Sequence, residues 1–176
     1  MRYFREIKCL QNHFKVLGSK EPLSEDIIKG LHYILKHDTR DSKLSWFAVG
    51  EYKKRANTVG GKETSAPNEV EKDIRNLLNS YLENKDVSIE DIISFHAQFE
   101  MIHPFQDGNG RVGRLIALKE CLKHSRVPFI IEDSKKAFYY RGLANWNTEK
   151  GVLIDTCLDG QDTVNALLNL FGITSM

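Results

Sequence analysis

The chain is organised around one stretch, Ile102-His103-Pro104-Phe105-Gln106-Asp107-Gly108-Asn109-Gly110-Arg111-Val112-Gly113-Arg114. It brings together a histidine, a carboxylate, three glycines and two arginines, with few ordinary apolar residues between them. Pro104 disfavours helical geometry at the residue before it, and the glycines permit backbone angles that other residues avoid. From Arg111 onwards the sequence is typical of a helix. The stretch therefore predicts a loop that leads into a helix.

Two side chains of this loop suit catalysis. An unperturbed imidazole has a pKa of about 6.5, so His103 is mostly neutral near neutral pH and can accept a proton from a hydroxyl. Asp107 offers a hard oxygen ligand of the kind that Mg²⁺ uses when it bridges nucleotide phosphates. Phe105 is expected to anchor the loop in the core. Taken singly, His103 is also typical of a structural histidine at a helix end, and Asp107 of a turn before glycine.

The second half of the loop suits an anion. Gly108, Asn109 and Gly110 lead into a helix N-terminus, where exposed N–H groups and the helix dipole both attract negative charge. Asn109 can add a side-chain donor. Arg111 and Arg114 carry forked donors that match phosphate oxygens, and a three-residue separation places them on neighbouring parts of one helix surface.

The pattern His-Pro-Phe-Gln-Asp-Gly-Asn-Gly-Arg-x-x-Arg, from His103 to Arg114, resembles the signature loop of the Fic (Fic/Doc) family. Typical members of that family transfer AMP from ATP to protein hydroxyls. The resemblance extends across roughly residues 20 to 170. It implies a mainly α fold, a Fic-type helical domain with one small β-hairpin flap. The glycine at position 110 favours the AMP-transferring branch, because the kinase-like relatives tend to have lysine there.

The resemblance also implies roles for individual residues. His103 would be the general base and Asp107 the ligand of Mg²⁺. The α- and β-phosphates of ATP would lie against Gly108, Asn109 and Gly110, and the outer phosphates against Arg111 and Arg114. Two tyrosines, Tyr139 and Tyr140, resemble an aromatic pair that lies near the adenine in relatives, although aromatic residues at helical spacing usually belong to a core.

Upstream, residues 57 to 64 predict a short β-hairpin with Gly60-Gly61 at its turn. In Fic proteins the corresponding segment is a flap that holds an extended segment of the target protein by main-chain pairing, as edge strands can. On that resemblance Thr58, Val59, Gly60 and Gly61 would form the docking flap; otherwise they are an ordinary surface hairpin. Relatives commonly have Gly-x-Tyr-Arg where this chain has Gly50-Glu51-Tyr52-Lys53, which leaves the role of Lys53 open.

The bulk properties predict an ordinary globular protein. A chain of 176 residues fits a single domain spanning 1–176, with an N-terminal helix over 1–20 and a core over 21–172. The balance of 25 basic against 24 acidic residues argues against nucleic acid or an anionic membrane as a partner. Three cysteines without a Cys-x-x-Cys pair indicate neither a disulfide framework nor a cysteine zinc site. With no apolar run long enough to span a membrane and no signal peptide, we expect a cytoplasmic protein.

Local signals place the helices. We expect side-chain caps at helix starts from Ser24, from Asn68 with Glu71, from Ser88 with Asp91, and from Ser134. The helix after the loop is largely apolar all round, which is typical of a central position. His32 and His37 are interpreted as surface or boundary residues. Residues 127–131 are expected to be buried, and the last helix to break near Gly160.

Three other classes compete. Residues 108–113 also spell Gly-x-Gly-x-x-Gly, with Glu132 and Asp133 following, as in dinucleotide-binding folds; but the segment before the glycines has helical and not strand periodicity. Glu100 does not complete His-Glu-x-x-His, which argues against a zinc hydrolase. A silent phosphate- or peptide-binding domain conflicts with the intact loop. A Fic fold that transfers phosphate, or another nucleotide, stays open.

The favoured function is that of a protein adenylyltransferase, with ATP as co-substrate and a Tyr, Thr or Ser hydroxyl of a target protein as acceptor. Many relatives carry an inhibitory helix with Ser/Thr-x-x-x-Glu-Gly/Asn, and this chain has no such match. The nearest, residues 79–84, lacks the hydroxyl residue at the required offset. We therefore expect no internal glutamate to pair with Arg111. Either a separate inhibitory partner supplies one, or another device restrains the activity.

Overall fold

The computed structural model describes residues 16–173, which form six α-helices and one β-hairpin. The helices are α1 (Glu25–Lys36), α2 (Val70–Leu82), α3 (Ile89–Ile102), α4 (Asn109–Lys123), α5 (Lys136–Ala144) and α6 (Lys150–Leu170). The strands are β1 (Thr58–Val59) and β2 (Lys62–Glu63), and short 3₁₀ turns cover Asp41–Lys43 and Asp133–Lys135. This confirms the mainly α fold with one small hairpin. Most of the predicted N-terminal helix lies outside the described residues. None of the helices in 16–173 has the length and apolar character needed to cross a membrane.

Two of the predicted caps begin their helices as expected. The Ser24 hydroxyl accepts a hydrogen bond from the backbone N–H of Ile27, at 3.3 Å. At α3 the capping box is complete: Ser88 Oγ accepts from the N–H of Asp91, and the Asp91 carboxylate accepts from the N–H of Ser88. Both helices thus satisfy first-turn donors that have no partner within the helix.

The other two predicted caps are wrong. Helix α2 begins one residue later than expected, after Glu69, and has no side-chain cap. A backbone turn takes its place, because the N–H groups of Glu69 and Val70 both donate to the carbonyl of Ala66. Ser134 lies inside a 3₁₀ turn, so α5 begins at Lys136. In both cases a tighter turn of the backbone occupies the position that the cap would have used.

The core consists of two clusters that meet on α3. The larger one surrounds α4, which packs against α3 and α1 as the apolar sequence predicted. The smaller one joins α3 to α5 and α6 through Ile93, Tyr139, Trp146, Leu153 and Cys157. Because α3 ends directly at the motif loop, both clusters fix the position of that loop.

Helix α4 was expected to be largely apolar all round, but its buried residues include the ion pair of Lys119 and Glu120. Lys119 Nζ is 2.8 Å from Glu120 Oε1 and donates to the carbonyl of Glu21 at the same distance. The hydroxyl of Tyr81 donates to the other oxygen of Glu120, at 3.0 Å. Each buried charge therefore has partners, which is the condition for tolerating it in a core.

The predicted break at Gly160 does not occur, because α6 is continuous across it. A Cβ atom at Gly160 would lie 2.1 Å from the carbonyl oxygen of Ile130, so this glycine allows close approach of the 127–131 segment. That segment is not a buried one: Ile130 is 43% exposed and its neighbours are half-buried. A glycine within a helical pattern here marks a packing contact and not a helix end.

Two helical glycines give a matched test of this packing. A Cβ atom at Gly142 would lie 2.7–2.8 Å from the backbone of Leu153, whereas one at Gly30 would meet nothing within 4 Å. We expect Gly142→Ala to destabilise the fold by about 1–3 kcal/mol, because α5 and α6 would be pushed apart. Gly30→Ala should stabilise it by roughly 0.5–1 kcal/mol through helix propensity. Urea unfolding measures both, and equal effects of the two variants would contradict the packing.

Candidate active site

The proposed base, His103, stands at the end of α3 in a left-handed conformation with φ 52° and ψ 61°. Its Nδ1 is 3.2 Å from the carbonyl oxygen of Glu100. A carbonyl can only accept, so Nδ1 carries the proton and Nε2 keeps its lone pair. Burial lowers the pKa of His103, the bond to Glu100 opposes this, and the nearby Lys53 lowers it further. The ring is therefore a neutral base at physiological pH.

The loop after His103 is shaped by Phe105 and Asn109. The Phe105 ring is fully buried, which agrees with its expected role as an anchor. Asn109 Oδ1 accepts from the N–H of Phe105 at 2.7 Å, and its Nδ2 donates to the carbonyl of Phe105 at 2.8 Å. The Asn109 amide is thus committed to the loop. Any contact of this residue with phosphate falls to its backbone N–H, which belongs to the first turn of α4 and has no acceptor within the helix.

Helix α1 holds the same loop through His32. The His32 ring stacks on Phe105 with centroids 3.9 Å apart. Its Nδ1 accepts from the N–H of Gly50 at 2.9 Å, so Nε2 donates to the carbonyl of Asp107, at 3.2 Å. Burial lowers the pKa of His32 to about 4. The interpretation of His32 as a surface or boundary residue is therefore wrong, because it lies on the apolar face of α1, one turn after Ile28.

One turn further along α1 lies Lys36, which the sequence did not single out. Its Nζ is 2.6 Å from Asp107 Oδ2 and also bonds the carboxylate of Asp41, with only 3% of the side chain exposed. Arg111 Nη2 approaches the same oxygen of Asp107, at 3.2 Å. Burial would raise the pKa of Asp107, but Lys36 outweighs it and the pKa lies below its usual value. Asp107 is therefore ionised.

Asp107 suits a magnesium ion as a single protein ligand. Among residues 16–173 no group of three or more His, Cys, Asp or Glu side chains could hold a metal. The Asp107 side chain is ionised and 56% exposed. Mg²⁺ commonly takes one or two carboxylates and completes its coordination with phosphate oxygens and water. The carboxylate fits that pattern, although Lys36 and Arg111 already share one of its oxygens.

These residues surround a cavity of about 280 Å³. Its walls are formed by Glu100, His103, Asp107, Gly108, Asn109, Gly110, Arg111, Arg114, Tyr139, Tyr140 and Leu143. The structure thus brings together every loop residue that the sequence proposed, along with both tyrosines. Tyr139 is a core residue, 2% exposed, with its hydroxyl 2.7 Å from His96 Nε2. Tyr140 is 61% exposed, so its ring is the one open to a ligand.

A carboxyl group that the sequence did not assign, Glu100, lies beside the arginine side of the cavity. A Cβ atom at Gly110 would be 3.3 Å from Arg114 Nη1 and 3.9 Å from both Glu100 carboxyl oxygens. At Gly113 it would be 2.5 Å from Glu100 Oε1, so this glycine makes room for the carboxyl group. Burial raises the pKa of Glu100 to about 7, and the charge of Arg114 opposes the shift.

The expectation about an inhibitory glutamate concerned Arg111. Within the described part of the chain, the acidic partner of Arg111 is Asp107, and no glutamate forms an ion pair with it. Glu100 lies near Arg114 instead, in the helix that carries His103. Its position three residues before His103 was the available signal, because residues three apart share a helix face.

The predicted hairpin forms with its expected turn. Thr58 pairs with Glu63 and Val59 with Lys62, in antiparallel register. Gly60 and Gly61 have φ of 58° and 78°, the two positive values that a type I′ turn requires. Lys62 Nζ donates to the carbonyl of Ala144 at the end of α5, at 2.6 Å. Between the hairpin and α5 lies a second cavity of about 180 Å³, which also reaches Glu100.

Lys53 joins the hairpin to the motif loop. It is 2% exposed, and its Nζ donates to Asn57 Oδ1 and Thr64 Oγ1, at 2.7 and 2.6 Å. Its backbone N–H donates to the carbonyl of Pro104, at 2.8 Å. Burial lowers the pKa of Lys53 to about 8. Lys53, which stands where the family pattern has arginine, therefore has a structural role. It joins both ends of the hairpin, at Asn57 and Thr64, to Pro104, the residue after His103.

Fold and site together define a helical domain in which a helix N-terminus lies beside a neutral histidine in one cavity. A family model described as the Fic/DOC family matches residues 22–121, which is more than half of the chain. The chain belongs to the Fic/DOC family.

Individual relatives agree with this assignment. A sea anemone (Nematostella vectensis) protein named "Protein adenylyltransferase Fic" is 33% identical over 159 residues, covering 80% of this chain and 36% of the relative. A Fic domain containing signaling protein from Bacteroides thetaiotaomicron has a similar structure, with a TM-score of 0.66, 25% identity, and coverage of 96% of this chain and 66% of the other. BepC from Bartonella tribocorum, solved with bound AMPPNP, gives 0.61 at 15% identity, covering 91% and 87%. This chain spans about a third of the curated relative's length.

The raised pKa of Glu100 gives a stability prediction. The pKa of the Glu100 carboxyl group is 4.5 when unperturbed and about 7 in the folded protein, so unfolding releases a proton at pH values between these two. Stability from Glu100 is therefore full at low pH and is lost as pH rises through 7. We expect the unfolding free energy of Glu100→Gln to exceed that of the wild type by roughly 1–3 kcal/mol at alkaline pH, and much less near pH 5.

Urea unfolding from pH 5 to 8.5 measures this difference. The matched control is Glu83→Gln, which changes an exposed glutamate at the end of α2. It should run parallel to the wild type at every pH. A Glu100→Gln profile that also runs parallel to the wild type would show that the carboxyl group is hydrated and ionises normally.

Proposed function

We propose that this chain transfers AMP from ATP to a hydroxyl group of a target protein. The observation that carries the proposal is the pairing of a neutral imidazole, His103, with an anion-binding helix N-terminus in one cavity. The sea anemone relative is named an adenylyltransferase, and BepC was solved with an ATP analogue bound, which supports ATP as the co-substrate. The acceptor hydroxyl is expected to come from the target, because the wall hydroxyl of Tyr139 is buried against His96 and that of Tyr140 belongs to the ring proposed for the adenine.

The reaction follows from the order of the groups along the cavity. The α-phosphate lies against the N–H groups at Gly108–Gly110, and Arg111 and Arg114 hold the outer phosphates. His103 Nε2 takes the proton of the acceptor hydroxyl, whose oxygen forms a bond to the α-phosphorus. The bond from that phosphorus to the bridging oxygen breaks, and pyrophosphate leaves. The arginines stabilise the charge that builds on the leaving group, as electrostatic catalysis requires.

Mg²⁺ would be held by Asp107 and would supply further neutralisation of phosphate charge. Asp107 would hold the ion through its single carboxylate, and phosphate oxygens and water are the further ligands that Mg²⁺ commonly takes. Tyr140 is the ring available to the adenine, because Tyr139 is enclosed by the core. Tyr139 contributes by fixing His96 beneath the arginine side of the cavity.

The hairpin is the proposed docking element for the target. Its strands are two residues each and exposed, so β1 (Thr58–Val59) can pair with an extended segment through its main chain. Gly60 and Gly61 form the turn at its tip. Since Lys53 ties the hairpin to Pro104, a segment bound there is held at a fixed distance from His103. Tyr, Thr and Ser all carry the required hydroxyl.

The base assignment is tested by removing the imidazole. We expect His103→Asn to reduce transfer by ~10²–10⁴-fold, the usual contribution of general acid–base catalysis, with ATP affinity near that of the wild type. Asparagine is chosen because it tolerates the left-handed conformation at this position. Single-turnover kinetics measures the rate of transfer, and calorimetric titration measures the affinity for ATP. A parallel loss of ATP affinity would place His103 among the binding groups and remove its role as the base.

A second measurement separates nucleotide transfer from the kinase-like alternative. A nucleotide bound in the reverse direction would present its γ-phosphate to the hydroxyl. ATP labelled separately at the α- and γ-phosphates distinguishes the two. We expect label on the acceptor protein from the α-position only, and none from either position with His103→Asn. Label from the γ-position alone would mean that the nucleotide is turned end for end and that the enzyme is a kinase.

A further inference from the structure

Lys36 occupies an unusual place beside the proposed metal ligand. It is in the last turn of α1, and its ammonium group is almost completely buried between two carboxylates. Asp107 Oδ2 lies 2.6 Å from Nζ, and the carboxylate of Asp41 bonds the same ammonium group. The ring of Phe47 lies 5.1 Å from Nζ and closes the site further. The ammonium group of Lys36 is therefore fixed in a buried site by specific partners, unlike that of a lysine in an exposed surface ion pair.

This placement puts two cations on one oxygen of the ligand. Arg111 Nη2 reaches Asp107 Oδ2 from the cavity side, at 3.2 Å, in addition to Lys36. Half of the Asp107 side chain is exposed, while Lys36 is not. A divalent ion that binds Asp107 must therefore either share the carboxylate with a fixed ammonium group or displace it. Like charges this close repel, and the burial of Lys36 limits how far water can screen its charge.

We propose that Lys36 is a positioning residue that sets the affinity of Asp107 for divalent ions. This proposal depends on the proposed function in one respect only, because it takes Asp107 as the metal ligand. Lys36 holds the carboxylate aimed at the cavity and neutralises it while no nucleotide is bound. It thereby keeps the affinity for free metal low. The metal then enters with the nucleotide, whose phosphates supply the additional negative charge that overcomes the repulsion.

Asp41 tunes this competition. It is 43% exposed and shares the ammonium group of Lys36 with Asp107. When the charge of Asp41 is removed, Asp107 remains as the acidic partner of Lys36. Lys36 then binds Asp107 more strongly. Replacing Lys36 and replacing Asp41 should therefore shift metal affinity in opposite directions. A purely structural role for Lys36 would not produce that pattern.

The test is titration of the full chain with Mn²⁺, with the free ion measured by electron paramagnetic resonance. Without nucleotide, we expect Lys36→Met to bind Mn²⁺ about 10-fold more tightly than the wild type. Asp41→Asn should bind it more weakly, and Lys36→Met/Asp107→Asn should lose the gain. Lys43→Met is the control for overall charge, because Lys43 is an exposed lysine two residues from Asp41 and should change affinity less than about 2-fold.

The outcomes separate this inference from the proposed function. The proposed competition between Lys36 and the metal for Asp107 is overturned if Lys36→Met binds Mn²⁺ as the wild type does or more weakly. The melting temperature of the variant shows that it is folded. An equal gain from Lys43→Met would also overturn this competition, since the effect would then be one of overall charge. If the opposite shifts of Lys36→Met and Asp41→Asn appear but no variant transfers AMP, the inference about Lys36 stands and the proposed function falls.

Discussion

The pair of hydrogen bonds between the Asn109 amide and the backbone of Phe105 is the interaction on which the site depends. It closes the loop between α3 and α4 into one shape, with the Phe105 ring driven into the core and stacked on His32. With that ring fixed, the residues on either side have little freedom. His103 is forced into a left-handed conformation, and Gly108 takes up the positive φ that begins α4. The groups proposed for catalysis and for phosphate binding therefore share one support, as preorganised electrostatic catalysis requires.

Charge is distributed unevenly around this support. Arg111 and Arg114 lie on the cavity wall, and the N-terminus of α4 adds its dipole, whereas Asp107 and Glu100 are the acidic groups on the walls. Lys36 contacts Asp107 from a buried position on α1. The two carboxyl groups behave differently because of their partners. Asp107 is ionised by its contacts with Lys36 and Arg111, and Glu100 is half neutral near pH 7 because it is buried. The cavity is consequently positive before any phosphate enters it.

Most local parts of this structure could be predicted from the sequence, and the contacts between distant segments could not. The caps expected at Asn68 and Ser134 are the local exceptions, because backbone turns take their place. The loop, the hairpin turn and the caps at Ser24 and Ser88 depend on residues close in the chain, whose chemistry is readable from spacing alone. Lys36 and Asp107 are 71 residues apart, and nothing within α1 indicates that its last turn meets the loop. The same limit explains why Gly160 was interpreted as a helix break: the carbonyl of Ile130 that needs the space lies on another segment.

The departure from the family pattern at Lys53 keeps a positive charge at this position, and that charge holds the hairpin. The buried ammonium group ties Asn57 and Thr64 together and reaches the carbonyl of Ile102 at 3.3 Å. These bonds, with the one from the Lys53 backbone N–H to Pro104, join the hairpin to the residues on either side of His103. The same positive charge lowers the pKa of His103, so Lys53 acts on the geometry of the hairpin and on the protonation of His103 together. If the hairpin holds the target and His103 is the base, as we propose, a single residue both places the acceptor and keeps the imidazole neutral.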